Sequence, residues 1–353
     1  MTNANMDTME KVIAVAKSRG FVYPGSLIYG GLAGSFDYGP LGVRLKENIT
    51  KLWWQMFVYD REDMHGLDSS IIMNPKVWEA SGHVAGFSDP LENGEQFNVM
   101  FKTSVGAGES VIDTYLRPET AQGIFVNFKN IIDSFHPKLP FGIAQIGKAF
   151  RNEIAPREFL FRKREFEQME VEYFIKGSEW EKYFENWREI MQKFADALGL
   201  NTVHELDVEE KDRAHYSKRT IDFEFDFPFG RRELWGLAYR TDFDLRAHTA
   251  SSGVDLTYFD EETAERYIPH VIEPSLGVDR TLLAVLVSAY TEDDLGGETR
   301  NYFKFPKNIA PISAAIFPLL KNKPELVAKA RELYADTKTA SRVRSTPKEG
   351  SMT

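Results

Sequence analysis

FRNEIAPREFLFRKREFEQME, residues 150–170, crowds arginines, glutamates and aromatics into a segment that otherwise reads as two strands and a turn. Period-two alternation over 159–174 puts Arg162, Arg164, Phe166, Gln168 and Glu170 on one face, with Lys163, Glu165, Glu167, Met169 and Val171 on the other. On the preceding strand Gln145, Arg151 and Glu153 share a face, and IAPREF supplies the turn, with Pro156 breaking the ladder. Such a hairpin offers three arginines to one ligand. A guanidinium fork donates two parallel hydrogen bonds to a phosphate, and a flat ring beside it stacks on a base. A surface hairpin with cross-strand ion pairs, each contributing roughly 0.2–1 kcal/mol, explains the same residues equally well.

Outward from the hairpin, TIDFEFDFP (220–228) alternates strictly, with Ile221, Phe223, Phe225 and Phe227 on one face and Asp222, Glu224 and Asp226 on the other. Segments 141–153, 159–175 and 233–240 also read as extended, joined by connections too short for helical crossovers. Helical spacing marks 41–59, through Leu45, Ile49, Leu52, Trp53 and Met56, and a short helix over 8–19 that Gly20 stops. The cleanest helix is 178–199: Ser178 and Glu181 make a capping box, and Trp180, Phe184, Trp187, Met191, Phe194 and Leu198 follow before Gly199. The predicted class is α+β, a large antiparallel sheet flanked by helices.

Composition bounds the function. The chain has 353 residues, 42% hydrophobic and 27% charged, enough for a large core plus a smaller second unit. No run of roughly eighteen apolar residues and no signal-like start are present, so a cytoplasmic protein without a membrane partner is expected. The absence of cysteine excludes thiolate metal sites, and the seven histidines lack HExxH spacing. A net charge of −10 argues against nonspecific coating of nucleic acid, so any such partner is met locally. The glycine-rich run 23–42 holds neither the dinucleotide nor the phosphate-loop pattern and reads as tight turns.

Two further stretches add to the hairpin. VIEPSLGVDRTLLAVLVSAY (271–290) reads as strand, turn and buried helix, with Arg280 near the helix N-terminus, where free amides and the dipole favour an anion. Pairing of Arg280 with Glu273 or Asp279 is the bland alternative. YLRPETAQGIF (115–125) sets Arg117 and Glu119 around a proline before a helix, and a capped helix start accounts for it as well.

Together these stretches resemble the class II aminoacyl-tRNA synthetases. FRNE (150–153) with REFEQME (164–170) is similar to motif 2, and GVDR (277–280) to motif 3. The glycine-rich run, the 41–59 helix and the SSIIMNP strand ending at Pro75 resemble the dimer-forming motif 1. YGGLAGSFDYGPLG, NPKVWEASGHVAGFSDP, LRPETAQGIF and IEPSLGVDR resemble, more narrowly, the homodimeric glycyl-tRNA synthetases, over residues 8–335.

That resemblance implies a glycine–tRNA ligase that joins glycine to ATP, releases pyrophosphate and passes glycine to the 3′ end of glycine tRNA. The implied architecture is a catalytic domain over 1–300, with motifs near 41–75, 145–174 and 271–290, an incomplete α/β anticodon-binding segment over 301–340 and a disordered tail over 341–353. Arg151, Glu153 and Arg280 are the implied catalytic residues. ATP would be held by them with Asn152, Phe161, Arg162, Arg164, Phe166, Glu233, Leu234, Gly277 and Asp279. Glycine would be held by Glu119, Gln168, Glu170, Arg240, Glu273 and Ser275. Glu233 and Glu273 are the implied Mg²⁺ ligands, since that ion favours one or two carboxylates plus phosphate oxygens.

Two departures from the family pattern stand out. The segment 88–101 has almost none of the insertion that approaches the acceptor stem in relatives, and the segment from Pro306 is too short for a whole anticodon-binding domain, though a strand at 312–316 and a helix from Pro324 are expected. They keep open a synthetase-like paralogue that forms adenylates or dinucleotides without full charging. A non-catalytic accessory subunit is disfavoured by the intact Arg151, Glu153, Phe166 and Arg280.

Overall fold

One sheet organises the first 309 residues. Its strands are β1 (Met64–Gly66), β2 (Phe141–Phe150), β3 (Glu165–Ile175), β4 (Val203–Asp207), β5 (Arg219–Phe227), β6 (Gly230–Thr241) and β7 (His270–Gly277), in the order β4-β5-β6-β7-β3-β2-β1. All neighbours are antiparallel except β1 with β2. The computed structural model describes residues 3–91 and 94–344, and the chain divides between Ile309 and Ala310 into two compact units.

Alternation gives the sheet two unlike faces. Ile221, Phe223, Phe225 and Phe227 of β5 are buried with Met169, Val171 and Tyr173 of β3 and with Trp235, Leu237, Ile272 and Leu276. Against them pack α2 (Pro40–Trp54), α3 (Trp180–Leu198) and α4 (Val278–Ala289), while α1 (Asn3–Ser18) adds Val12 and Ala16 to the same core. The α3 stripe is as expected: Phe184, Trp187, Met191, Phe194 and Leu198 are buried, and Gly199 ends the helix at φ 74°. On α2, a Cβ at Gly42 would stand 1.9 Å from the Phe21 carbonyl oxygen. That clash outweighs the roughly 1 kcal/mol by which alanine is the better helix former.

Several expectations are corrected. The 159–174 strand starts only at Glu165, because Glu158 and Phe159 take left-handed backbone, at φ 64° and 57°, which breaks the extended run, and Phe159–Phe161 form a 3₁₀ turn instead. The 141–153 strand likewise stops at Phe150. The capping box does not form: Gly177–Glu179 make a 3₁₀ turn, so the helix starts at Trp180 with Glu179 at its N-cap and no side-chain cap bond. Beyond α2 a π-helical turn, Gln55–Tyr59, adds Phe57 and Val58 to the core, while Met56, which helical spacing pointed to, packs against it partly buried. SSIIMNP is not a strand of the sheet; the neighbouring strand is β1, and Ile72 makes only an isolated bridge to Leu116.

In the second unit, α5 (Pro324–Arg344) begins at the expected proline and runs into the segment expected to be disordered from 341; the rest of that tail lies outside the described residues. No strand occurs at 312–316, because a strand needs a hydrogen-bonding neighbour and none is offered among the described residues. Phe317 and Leu319 stand exposed. Among the described residues no helix is long and apolar enough to cross a membrane.

Candidate active site

The sheet face opposite the helices floors a cavity of about 370 Å³. The floor is lowered by small residues, Gly236 and Ala238 of β6 with Ser275 and Gly277 of β7, and a Cβ built on Gly236 meets nothing within 4 Å. Strand register sets the walls: Glu170 pairs with Ser275 and Gln168 with Gly277, while Phe166 lies opposite Ala149 nearer the hairpin turn. Glu170 and Phe166 are four residues apart on β3, roughly 13 Å at strand rise, so the cavity is an elongated slot with two chemically distinct ends.

Cations and rings line the first end. The Arg151 guanidinium stands 5.2 Å from the Phe166 ring centroid and 5.1 Å from that of Phe87, and its Nε donates to the Pro118 carbonyl at 3.0 Å. Arg151 makes no ion pair among the described residues. Arg280, in the first turn of α4, lies 4.4 Å over the Phe161 ring, donates to the Phe161 and Glu233 carbonyls and pairs with the Glu233 carboxylate at 3.3 Å. Its partner is therefore Glu233, not Glu273 or Asp279. Arg162 stands 3.8 Å from Glu153, and Leu234 completes this wall.

Buried carboxylates line the other end. Glu170 accepts from Ser275 Oγ at 2.8 Å, from Thr120 Oγ1 and from Gln168 Nε2 at 3.4 Å. Glu273 accepts from Arg240 Nη1 at 2.7 Å, and Arg240 also forks onto Asp244 with two bonds of 2.8 Å. Glu119 lies 3.4 Å from His83 and accepts from Gln122 at 3.0 Å. Behind them Glu172 is wholly buried, and neither of its oxygens has a hydrogen-bond partner among the described residues. Oxygens of Glu170, Glu172 and Glu273 lie within 4.8 Å of one another.

That crowding separates the titrations. Burial raises Glu273 to about 8, with Arg240 pulling it down and Glu170 and Glu119 pushing it up. Burial and the Glu119 charge raise Glu170, and burial with the Glu273 charge raises Glu172 far above the usual carboxylate range. Glu119 goes the other way: burial opposes its charge, but His83, Arg240 and Gln122 hold it low. Arg240 divides its donors between Glu273 and Asp244, and Glu119 has His83, so Glu170 and Glu172 are left without an ion pair among the described residues, and a cation entering the slot would favour their ionised forms.

Most residues expected at the site line the cavity, namely Glu119, Arg151, Glu153, Phe161, Arg162, Phe166, Gln168, Glu170, Glu233, Leu234, Glu273, Ser275, Gly277, Asp279 and Arg280. Asn152 and Arg164 do not. They face a second cavity of about 860 Å³, and Arg164 donates to the Ala33 and Glu153 carbonyls, because the strand parity that placed it in the first cavity begins only at Glu165. Arg240 stands behind Glu273 rather than in the wall. Asp279 touches the cavity, but its carboxylate is engaged by Tyr38, Lys163 and the Glu167 backbone N–H. Glu233 and Glu273 cannot share an ion: Glu273 pairs with Ala238, five residues along β6 from Glu233, roughly 16 Å away. Arg117 is structural, donating to the Lys148 and Ser69 carbonyls.

The residue-by-residue reading missed Glu172, Lys163, Tyr216 and Asp222. Glu172 continues the Gln168–Glu170 face of β3 and was open to the same parity argument. Tyr216, with Arg240 at 3.8 Å over its ring, lies between β4 and β5 where no period exists to read.

Comparison with known proteins gives the family. Residues 102–289 match the tRNA synthetase class II core domain (G, H, P, S and T). A glycine–tRNA ligase of Caldanaerobacter subterraneus subsp. tengcongensis is 46% identical over 390 aligned positions, covering 94% of this chain and 84% of that protein. The glycine–tRNA ligase of Geobacillus thermodenitrificans is also 46% identical, covering 93% and 83%. An alignment of 390 positions onto a chain of 353 residues means that relatives carry internal segments opposite gaps here. Among solved structures, Giardia lamblia prolyl-tRNA synthetase in complex with prolyl-adenylate superposes with a TM-score of 0.71 at 16% identity, over 97% of this chain and 63% of that one, a likeness of fold alone. The chain belongs to the class II aminoacyl-tRNA synthetases and, within them, to the glycine–tRNA ligases.

Proposed function

We propose that the slot binds ATP at its arginine end and glycine at its carboxylate end, and that the chain charges glycine tRNA through glycyl-adenylate. The observation that carries this reading is the pairing of an ion-pair-free Arg151 at one end with Glu119, Glu170 and Glu273, the buried carboxyls that line the other. Glycine brings an ammonium to the carboxylates and a carboxylate to the arginines. The membership of the glycine–tRNA ligases favours charging over the paralogue reading.

The reaction needs alignment and charge stabilisation more than a general base. The glycine carboxylate oxygen attacks the α-phosphorus, the bond to the bridging oxygen breaks, and pyrophosphate leaves with that electron pair. A ribose hydroxyl at the tRNA 3′ end then attacks the acyl carbon, AMP leaves and the hydroxyl proton passes to solvent. Arg151 holds the α-phosphate and offsets the charge that grows there. Glu153 accepts from the adenine amino group, Phe166 stacks on one face of the base, Arg280 covers the other and Arg162 reaches the outer phosphates. Glu119, Glu170 and Glu273 receive the ammonium, and Ser275 keeps Glu170 oriented. An added methyl changes binding by only about 1–3 kcal/mol, so alanine must be excluded by steric closure of the pocket around bound glycine.

Glu233, half exposed beside Arg280, suits a Mg²⁺ ion bound mainly through phosphates and water, where the ion would offset phosphate charge. Glu273, buried and bonded to Arg240, does not suit it. We also assign the motif 1 region to a homodimer contact. The direct test is transfer of labelled glycine to a glycine tRNA transcript. Acid-precipitable glycine dependent on ATP and on the matching tRNA is expected; adenylate formation without transfer would favour the paralogue reading.

A further inference from the structure

Three segments far apart in sequence meet on one carboxylate. Asp279, 4% exposed in the first turn of α4, accepts through Oδ1 from Tyr38 Oη at 2.5 Å and from Lys163 Nζ at 2.6 Å, and through Oδ2 from the Glu167 backbone N–H at 2.9 Å. The Lys163 ammonium lies 5.2 Å from the Tyr38 ring centroid. A second pair continues the chain of contacts: Lys46 Nζ of α2 donates to the Glu167 carboxylate at 2.6 Å and lies 5.5 Å from the same Tyr38 ring. The Asp279–Lys163 pair stands in the partition between the slot and the second cavity, both of which it lines.

Each anchor point is next to a residue with a face on the slot. Asp279 precedes Arg280, and Glu167 follows Phe166. The bond from the Glu167 N–H to Asp279 therefore ties the start of β3 to the start of α4, and with them the aromatic plate to the guanidinium plate. Tyr38 and Lys163 hold the Asp279 carboxylate in the rotamer that makes this bond. A buried carboxylate with three donors is satisfied, and removing one donor leaves it freer to turn.

We propose that Asp279 is a positioning residue, held by Tyr38 and Lys163, that sets the gap between Phe166 and Arg280 and so the affinity of the slot for the adenine ring. The proposal rests on the reading that ATP occupies the arginine end of the slot. It replaces the expectation that Asp279 touches the nucleotide.

The test uses the full chain with Tyr38→Phe, Lys163→Met, Asp279→Asn and Asp279→Ala. Tyr38→Phe removes one donor outside the slot and conserves the ring. Calorimetry with a non-hydrolysable ATP analogue should show Kd rising about fivefold for Tyr38→Phe and Asp279→Asn and more for Asp279→Ala, with glycine KM within twofold of wild type. Tyr38→Phe combined with Asp279→Ala should bind no more weakly than Asp279→Ala alone. A lower melting temperature with unchanged analogue Kd in Tyr38→Phe and Lys163→Met would reduce the cluster to a stability element and overturn the proposal, even if Asp279→Ala fails to fold. An equal rise in analogue Kd and glycine KM would overturn it as well. A wild-type chain that binds no analogue would instead defeat the underlying assignment of the slot.

Discussion

Glu273 illustrates how burial and neighbouring charge decide the working state of a single group. Its folded value of about 8 lies well above the roughly 4.3 of an unfolded glutamate. The folded chain therefore holds a proton that the unfolded chain releases, and this contribution to stability is present below the unfolded value and is lost as pH rises through about 8. Glycine binding has the opposite sign, because its ammonium favours the ionised carboxylate. KM for glycine should fall as pH rises toward about 8 and then level off, by up to about tenfold per unit where one proton must leave. Initial rates across that range check this, and a glycine KM indifferent to pH would contradict the assignment of Glu273. At this scale the sequence was informative where parity held: Phe166, Gln168 and Glu170 lie where alternation put them. Arg164 does not, because the buried Phe159–Leu160–Phe161 turn resets the phase before the strand begins. The Asp279 contacts were beyond reach for a different reason, since Tyr38 and Asp279 are 241 residues apart and no local pattern announces them.

Helices and strands with long, regular stripes were the legible elements. The α3 stripe and the β5 alternation need only side-chain type and period, and both are as read. Features that depend on one backbone torsion, such as the failed capping box and the π turn after α2, are not encoded in a period. The segment between α1 and α2 has its own consequence. Its 3₁₀ turn leaves Leu27, Ile28, Tyr29 and Leu32 exposed, Ile28 at 88% and Tyr29 at 87%, which is costly for a free surface and suits a covered one. Sedimentation velocity should find a species of twice the 40.4 kDa chain mass, converted to monomer by Ile28→Asp with Tyr29→Asp. A wild-type chain that sediments as an active monomer would contradict a motif 1 dimer.

At the scale of the whole molecule, short connections made the antiparallel sheet predictable, while the parallel β1–β2 edge was not, because a three-residue strand gives no pattern to align. The slot follows from the sheet: one face is spent on the aromatic core, and the other carries charged ends separated by a glycine- and alanine-lined floor. Its two ends match the two substrates of one reaction, ATP and glycine. Exchange of labelled pyrophosphate into ATP measures that reaction with no tRNA present. Exchange should depend on glycine, be far weaker with alanine and be abolished by Arg151→Ala in a protein that still folds. Absence of exchange with glycine, or equal exchange with alanine, would contradict this assignment of the two ends.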